Sequence, residues 1–395
     1  MTQTVLLGDI CDIKIGRTPP RKQPQWFSES YGVKWVSIKD MGNTGKYISQ
    51  TSEFLTADAI KKFNIPIIPA GTLLMSFKLT VGRLGFAEYD MCSNEAIAQL
   101  PIKDQDIVDK NYLYYYLKNF NFDSLSSTSS IATAVNLKTV KNISVNLPSL
   151  NQQKKIANIL GSLDEKIKLN RRMNETFEQL GQALFRHYFV DNPEAKNWST
   201  VKVGDVLSEL QSGSRPRGGA VKSGVPSVGA ENIVGLGKYD YSKEKYISEE
   251  FFNRLGRGVV NSGDVLLYKD GAYVGKKSLF MNGFPHKKCA INEHVFILRT
   301  NSRLKSQFFL YFWLDRPSIT KKIIDAGVKA AQPGINQSNV NSLPILLPPE
   351  ESVKKFDNEI SPIMGMIFSN AIESNQLAAL RDLLLQKLIS GEIEV

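Results

Sequence analysis

His286, Cys289 and His294 are the chain's best candidates for metal ligation, since two imidazoles and a thiolate at close spacing suit a tetrahedral zinc ion. No fourth ligand stands near them, and the corresponding stretch around Cys92 has no histidine, so a strand core and its rim is the expected setting. Gly271-Ala272-Tyr273-Val274-Gly275-Lys276-Lys277-Ser278 ends like a phosphate-binding loop, in which glycine amides and a lysine wrap a nucleotide's phosphates. Only three residues separate its glycines where that loop requires four, and the stretch opposite it in the chain's other half, Leu79-Thr80-Val81-Gly82-Arg83, has no such signature. His187 is the one histidine outside 286–294, so no acid-base pair or triad assembles. The expectation is no catalytic residue, no metal and no cofactor.

The remaining chemistry is ionic. A formal net charge of +10 over 395 residues favours an anionic partner, and the phosphates of a nucleic acid fit that field best. The length exceeds one ordinary core and predicts at least two domains. No stretch approaches the roughly 18 apolar residues that span a bilayer, and the segment Met1-Thr2-Gln3-Thr4-Val5 opens without a secretory pattern. Cys11, Cys92 and Cys289 are odd in number and scattered, which argues against a disulfide framework. A cytoplasmic protein without a membrane partner is expected.

Elements that would position these charges emerge when the chain is laid on itself at an offset of roughly 192 to 200 residues. Gly8-Asp9-Ile10 matches Gly204-Asp205-Val206, and the basic turn Gly16-Arg17-Thr18-Pro19 matches Gly213-Ser214-Arg215-Pro216. Val36-Ser37-Ile38-Lys39-Asp40 lies opposite Val228-Gly229-Ala230-Glu231-Asn232, and Gly71-Thr72-Leu73-Leu74-Met75-Ser76 opposite Gly263-Asp264-Val265-Leu266-Leu267-Tyr268. Val81-Gly82-Arg83 and Asn94-Glu95 find counterparts in Val274-Gly275-Lys276 and Asn292-Glu293. Each match is a turn signal beside a short strand-like run.

After Leu147-Pro148 and Leu347-Pro348, apolar residues recur at alternating spacings of four and three, the seam of a coiled coil. It runs through Ile156, Leu160, Leu163, Ile167 and Asn170 in the first copy and through Phe356, Ile360, Ile363, Ile367 and Asn370 in the second. Helices are predicted over about 151–188 and 351–390. At 1.5 Å rise per residue each would be roughly 55 to 60 Å long and must bury its stripe, most simply against the other copy. The reading is α+β: two similar mixed α/β globular domains, 1–148 and 191–348, separated by two long antiparallel helices, 149–190 and 349–395, in a pseudo-twofold dumbbell. Asn170 and Asn370 interrupt the seam near its middle, and their amides are expected to approach each other and fix register.

Taken together, Gly16-Arg17-Thr18-Pro19, Trp35-Val36-Ser37-Ile38-Lys39-Asp40, Ser126-Ser127-Thr128, Leu137-Lys138, Leu147-Pro148-Ser149-Leu150-Asn151-Gln152-Gln153-Lys154-Lys155-Ile156-Ala157 and Leu163-Asp164-Glu165-Lys166-Ile167 resemble the specificity subunits of type I restriction-modification systems. The continuation Asn170-Arg171-Arg172-Met173-Asn174-Glu175-Thr176 with Ala183-Leu184-Phe185 is similar to that family's first long helix. The resemblance is looser over 200–390, where Pro348-Pro349-Glu350-Glu351 replaces the Leu-Asn-Gln-Gln version. It implies two target-recognition domains, each reading one half of an asymmetric bipartite site in double-stranded DNA. The helices would act as a ruler and dock two methyltransferase subunits, with restriction (translocase) subunits joining for cleavage. The chain itself would be non-catalytic: the glycine-rich cofactor loop and Asn/Asp-Pro-Pro-aromatic tetrapeptide of an adenine methyltransferase are absent from the sequence.

Such domains need cations for phosphates and planar side chains for base edges. The candidates in the first are Arg17, Arg21, Lys22, Lys39 with Asp40, Lys78 and Arg83. In the second they are Arg215, Arg217, Lys222, Glu231 with Asn232, Lys269, Lys276 and Lys277. A third surface is the polar run Ser126-Ser127-Thr128-Ser129-Ser130 with Thr133 and Asn136, matched by Lys329, Gln332 and Asn336. Leu180, Leu184, Phe185, Tyr188 and Phe189 are expected either to join methyltransferase docking or to pack onto the adjacent recognition domain. The competing reading is a two-headed protein scaffold, joined through its coiled coil, that never contacts bases.

Overall fold

A computed structural model describes residues 2–42, 45–125, 135–328 and 334–395. The chain forms two compact units, one of Met1–Glu165 with Ala379–Val395 and the other of Lys166–Ala378.

In the first unit the strand Gln3–Leu6 pairs antiparallel with Ser144–Leu147, so the start of the globular part is stitched to its end immediately before the first long helix. Between them lie two sheets. One has the order Lys14–Ile15, Ile97–Leu100, Leu73–Ser76, Leu84–Ala87, Tyr47–Ile48; the other Phe27–Ser28, Glu53–Leu55, Val33–Val36, Cys92–Ser93. Leu73–Ser76 and Ile97–Leu100 are buried at every position, as expected for strands covered on both faces. The helix Lys110–Lys118 starts at Asp109, whose carboxylate accepts from the amides of Asn111 and Tyr112 at 2.9 Å.

The second unit repeats this plan. Ser199–Lys202 pairs with Pro344–Leu347, and a four-stranded sheet runs Leu207–Ser212, Val295–Thr300, Asp264–Tyr268, Lys277–Phe280. A three-stranded sheet joins Lys245–Ile247, Val225–Val228 and Ala290–Ile291, and Gln307–Asp315 is the counterpart of Lys110–Lys118.

The long helices are Leu150–Phe189 and Glu350–Ser390. In the first unit, Ile156, Ala157 and Leu160 of one helix and Leu385 and Leu388 of the other share a core with Tyr112, Leu113 and Tyr115. Leu163 is half-buried, and near the end of the second helix the stripe moves from Leu384, half-buried, to Leu385. In the second unit Ile167 is buried, and Phe356, Ile360, Ile363 and Ile367 join one core with Phe185, Phe189, Phe309 and Phe312. Tyr188 donates to Glu359 at 2.6 Å and Asn174 Nδ2 to the Ile367 carbonyl at 2.9 Å, so the pair runs antiparallel there.

The asparagines of the seam depart from expectation. Asn370 Nδ2 donates to Asn174 Oδ1 at 3.0 Å, not to the Asn170 amide. Asn170 Nδ2 donates to Glu373 at 2.8 Å and reaches the Asn370 backbone carbonyl at 3.5 Å. Positions 170 and 370 therefore do meet, through the Asn370 backbone, while the Asn370 side chain reaches one turn along to Asn174, so the two amides make no bond to each other. Of the two readings open for Phe185 and Phe189, packing holds: they are 2 % exposed and lie on Phe309 and Phe356, with ring centroids 4.7 to 5.8 Å apart. Leu180 remains 46 % exposed. Among the described residues no helix is long and apolar enough to cross a membrane.

Candidate nucleic-acid interface

In both units the basic turn is laid directly on a sheet edge, and glycine makes that possible. A Cβ on Gly16 would fall 1.8 Å from the Ser93 carbonyl oxygen, and one on Gly213 would fall 1.9 Å from that of Ile291. No side chain fits at either position, so the backbone can pass only as glycine. The amide of Arg17 then donates to the Ser93 carbonyl at 2.9 Å.

A glutamate one strand end away holds each turn. Thr18 donates to the Glu95 carboxylate. Burial works against that carboxylate's charge, but the Thr18 bond, with Lys78 and Arg21 nearby, holds it below the ordinary glutamate value. In the second unit Arg215 lies 3.6 Å from Glu293, which also faces His294 Nε2 at 3.5 Å, while His294 Nδ1 faces Asp270 at 2.7 Å. Asn94 and Asn292, the residues before these glutamates, accept from the amides of Ala96 and His294 at 3.1 and 2.9 Å and turn the chain identically. The basic turn, the glutamate and the following hairpin therefore share one surface in each unit. In the sequence, Asn94-Glu95 and Asn292-Glu293 stand out only as landmarks of the repeat.

Arg17 is exposed, with Nη1 on the Phe63 carbonyl at 3.1 Å. Arg21 is stacked over Phe27 and Trp35, 4.4 and 4.6 Å from their centroids, and paired with Glu53 at 2.6 Å, which fixes its guanidinium in place. Lys22, Lys39, Arg217 and Lys222 are exposed and form no ion pair with a described residue. Lys78 is exposed beside Phe77. Lys269 lies over Phe296 at 5.2 Å and lines a recess of about 350 Å³ with Ser212, Asn336 and Ser338. Lys276 covers the Tyr273 ring at 4.2 Å.

Other candidates turn inward. Lys277 is 8 % exposed, with its ammonium on Asp315 at 3.3 Å and Thr320 at 2.9 Å, and burial lowers its pKa; it is a core ion pair, not a surface cation. Arg83 spends its Nη1 on the Ile38 carbonyl at 2.7 Å. Asp40 caps the helix Ile38–Met41; burial opposes its charge, but bonds from Ser52 and Ser37 prevail and keep its pKa low. Asn232 is 1 % exposed, accepting from Gly229 and donating to the Asp240 carbonyl, while Glu231 pairs with Lys245 at 2.8 Å. Asn136 and Asn336 cap short helices through the amides of Thr139 and Asn339 at 3.0 and 2.9 Å. Lys329, Gln332, Thr133 and Ser126 to Ser130 lie outside the described residues.

The His286, Cys289 and His294 trio does not converge. His286 bonds Glu244, His294 faces Asp270, and Cys289 is buried, its thiol pushed up to about 12 by desolvation. Gly271–Tyr273 forms a single tight turn, and Lys277 begins the strand that follows it.

The chain is 26% identical over 412 residues to the type I restriction enzyme MjaIX specificity subunit of Methanocaldococcus jannaschii, covering 98% of this chain and 93% of that protein. It is 25% identical to the HindI specificity subunit of Haemophilus influenzae, covering 68% of this chain and 72% of that one. Its fold matches the crystal structure of a type I restriction-modification system S subunit from M. genitalium with a TM-score of 0.61 at 14% identity, over 98% of this chain and 96% of the other. Residues 2–179 and 195–381 both match the type I restriction modification DNA specificity domain, in agreement with the internal repeat. The chain belongs to that family and contains two copies of its domain.

Proposed function

We propose that this chain reads DNA for a type I restriction-modification complex. Domains 1–148 and 191–348 each bind one half of an asymmetric bipartite site, and the helices of 149–190 and 349–395 set the gap and dock two methyltransferase subunits and the restriction subunits. The chain performs no catalysis itself and works in the cytoplasm.

The observation that supports this most is the duplicated surface: a basic turn that only glycine permits, beside Glu95 in one unit and Glu293 in the other. Cations there position phosphates, while residues that differ between the copies, Thr18 against Arg215 for instance, suit half-sites of different sequence. Half-sites about one helical turn, roughly 34 Å, apart on one DNA face suit such a pair.

The test is the salt dependence of binding between the complex with its methyltransferase subunit and double-stranded DNA. Lys222→Ala or Lys22→Ala should weaken binding to every sequence and shrink the log-log salt slope by about 1. An unchanged slope in all such variants would leave the protein-scaffold reading in its place.

A further inference from the structure

Leu79 is 95 % exposed, more than any other large apolar side chain among the described residues, and its backbone is left-handed, at φ +62°. Leucine is a poor choice for that conformation, which glycine or asparagine adopts at far less cost. The loop holding it, between Leu73–Ser76 and Leu84–Ala87, is nonetheless tightly built. The buried Ser76 hydroxyl donates to the Thr80 carbonyl at 2.5 Å and accepts from the Arg83 amide at 3.0 Å. Gly82 donates to the Ser76 carbonyl at 2.9 Å, Phe77 to that of Ala96 at 3.0 Å, and the Arg83 guanidinium anchors the far side on Ile38. A fixed frame thus holds one apolar side chain out next to Lys78, whose charge acts on Glu95.

The other copy exposes a large side chain one position further along the equivalent loop, at the place of Thr80. Gly275 donates to the Tyr268 carbonyl at 3.1 Å, as Gly82 does to Ser76, and the corresponding loop presents Tyr273, 53 % exposed beneath Lys276. Leucine has no hydrogen-bonding atom and cannot read base edges through donors or acceptors. Beside a cation on a DNA-facing surface, the apolar partners within its reach are thymine methyl groups and base faces, and leucine wedges and aromatic rings alike contact the faces by insertion or stacking. A methyltransferase must also take its target base out of the stack.

We infer that Leu79 and Tyr273 are wedges that enter the base stack, one at each half-site, and help open the duplex for methylation. This rests on the DNA-reading role proposed above.

The experiment uses the complex with its methyltransferase subunit and two duplexes carrying its mapped methylation motif, one with 2-aminopurine at the target adenine for fluorescence and one with adenine there for the methylation rate, since 2-aminopurine has no 6-amino group to methylate. Its fluorescence should rise on binding of the unaltered complex. Leu79→Gly should raise or preserve the melting temperature, since it relieves the backbone, yet cut the fluorescence rise and the methylation rate about tenfold at one half-site. Leu79→Met should retain most of both. Tyr273→Ala should act at the other half-site and Tyr273→Phe should restore it. Specific binding with fluorescence and methylation unchanged in Leu79→Gly and Tyr273→Ala overturns the wedge alone, as does a loss traced to weaker assembly with the methyltransferase subunit. Absence of motif-specific binding by the unaltered complex overturns the DNA-reading role and the wedge with it.

Discussion

Arg381 donates to the Asp164 carboxylate at 2.7 Å, and the positions related to these two by the internal repeat are Gly181 and Met364, which hold no charge. Tyr115 completes the polar group by donating to Asp164 at 2.6 Å, whereas its counterpart Phe312 lies against Gly181, where a Cβ would come within 2.7 Å of its ring. Each unit therefore covers its stretch of the long helices differently, one with a polar group and one with an apolar contact, although the chain is duplicated.

Removing one partner of that largely buried ion pair should cost far more than removing both. Arg381→Leu is expected to destabilise by about 2–4 kcal/mol, because it strands the Asp164 carboxylate, while Asp164→Leu combined with Arg381→Leu should recover most of the loss. Urea melts of the single and double variants measure this. Equal destabilisation in both would contradict it.

The seam amides give a contrast of sign. Asn174 is 6 % exposed, accepts from Asn370 and donates to the Ile367 carbonyl, so Asn174→Leu should cost about 1–3 kcal/mol in unmet hydrogen bonds. Asn170 Oδ1 is buried without a partner, so Asn170→Leu should be neutral or stabilising despite losing the bond to Glu373. Thermal melts that rank the two the other way would refute the assignment.

Asp357 links stability to pH. Burial raises its carboxyl to about 6, only partly offset by the Ser306 hydroxyl donating at 2.6 Å. Between pH 3.8 and 6 the folded chain holds a proton that the unfolded chain releases, so this contribution is complete below about pH 4 and lost as pH rises through 6. Asp357→Asn, which cannot ionise, should therefore stabilise at pH 7.5 by about 1–2 kcal/mol after allowance for solvent screening, and by almost nothing at pH 4. Melting curves at the two pH values check the difference.

Gly16→Ala and Gly213→Ala should each displace one basic turn, because the added Cβ collides with a backbone carbonyl that cannot rotate away. A loss of about 1–3 kcal/mol in stability with recognition weakened in one half-site is expected. Substitution at Gly218, whose Cβ would meet nothing within 4 Å, tests whether glycine loss alone is responsible; its positive φ makes it strained without a collision, so recognition should survive.

The repeat and both helices were legible because periodicity survives wherever a stripe must be buried, as Ile156, Leu160, Ile360 and Ile367 show. Register was not: a seam with asparagine at 170, 174 and 370 fits several helix offsets, and only the packing of Phe185 on Phe356 beside Asn174 on Ile367 selects one. Charge proved a poor guide to exposure. Lys277 and Arg83 read like Lys276 and Arg17 in sequence, but their partners Asp315 and Ile38 are 38 and 45 residues away. Nothing in the sequence marks Glu95 or Glu293 for the same reason, since Thr18 is 77 residues from Glu95.

The central claim is that each copy of the domain reads its own half of one site. Genome-wide adenine methylation by the complex with its methyltransferase subunit should give one bipartite motif with a fixed gap, with Arg17→Ala relaxing or weakening one half and Arg215→Ala the other. A complex that assembles but methylates no defined motif, or variants that change both halves alike, would contradict it.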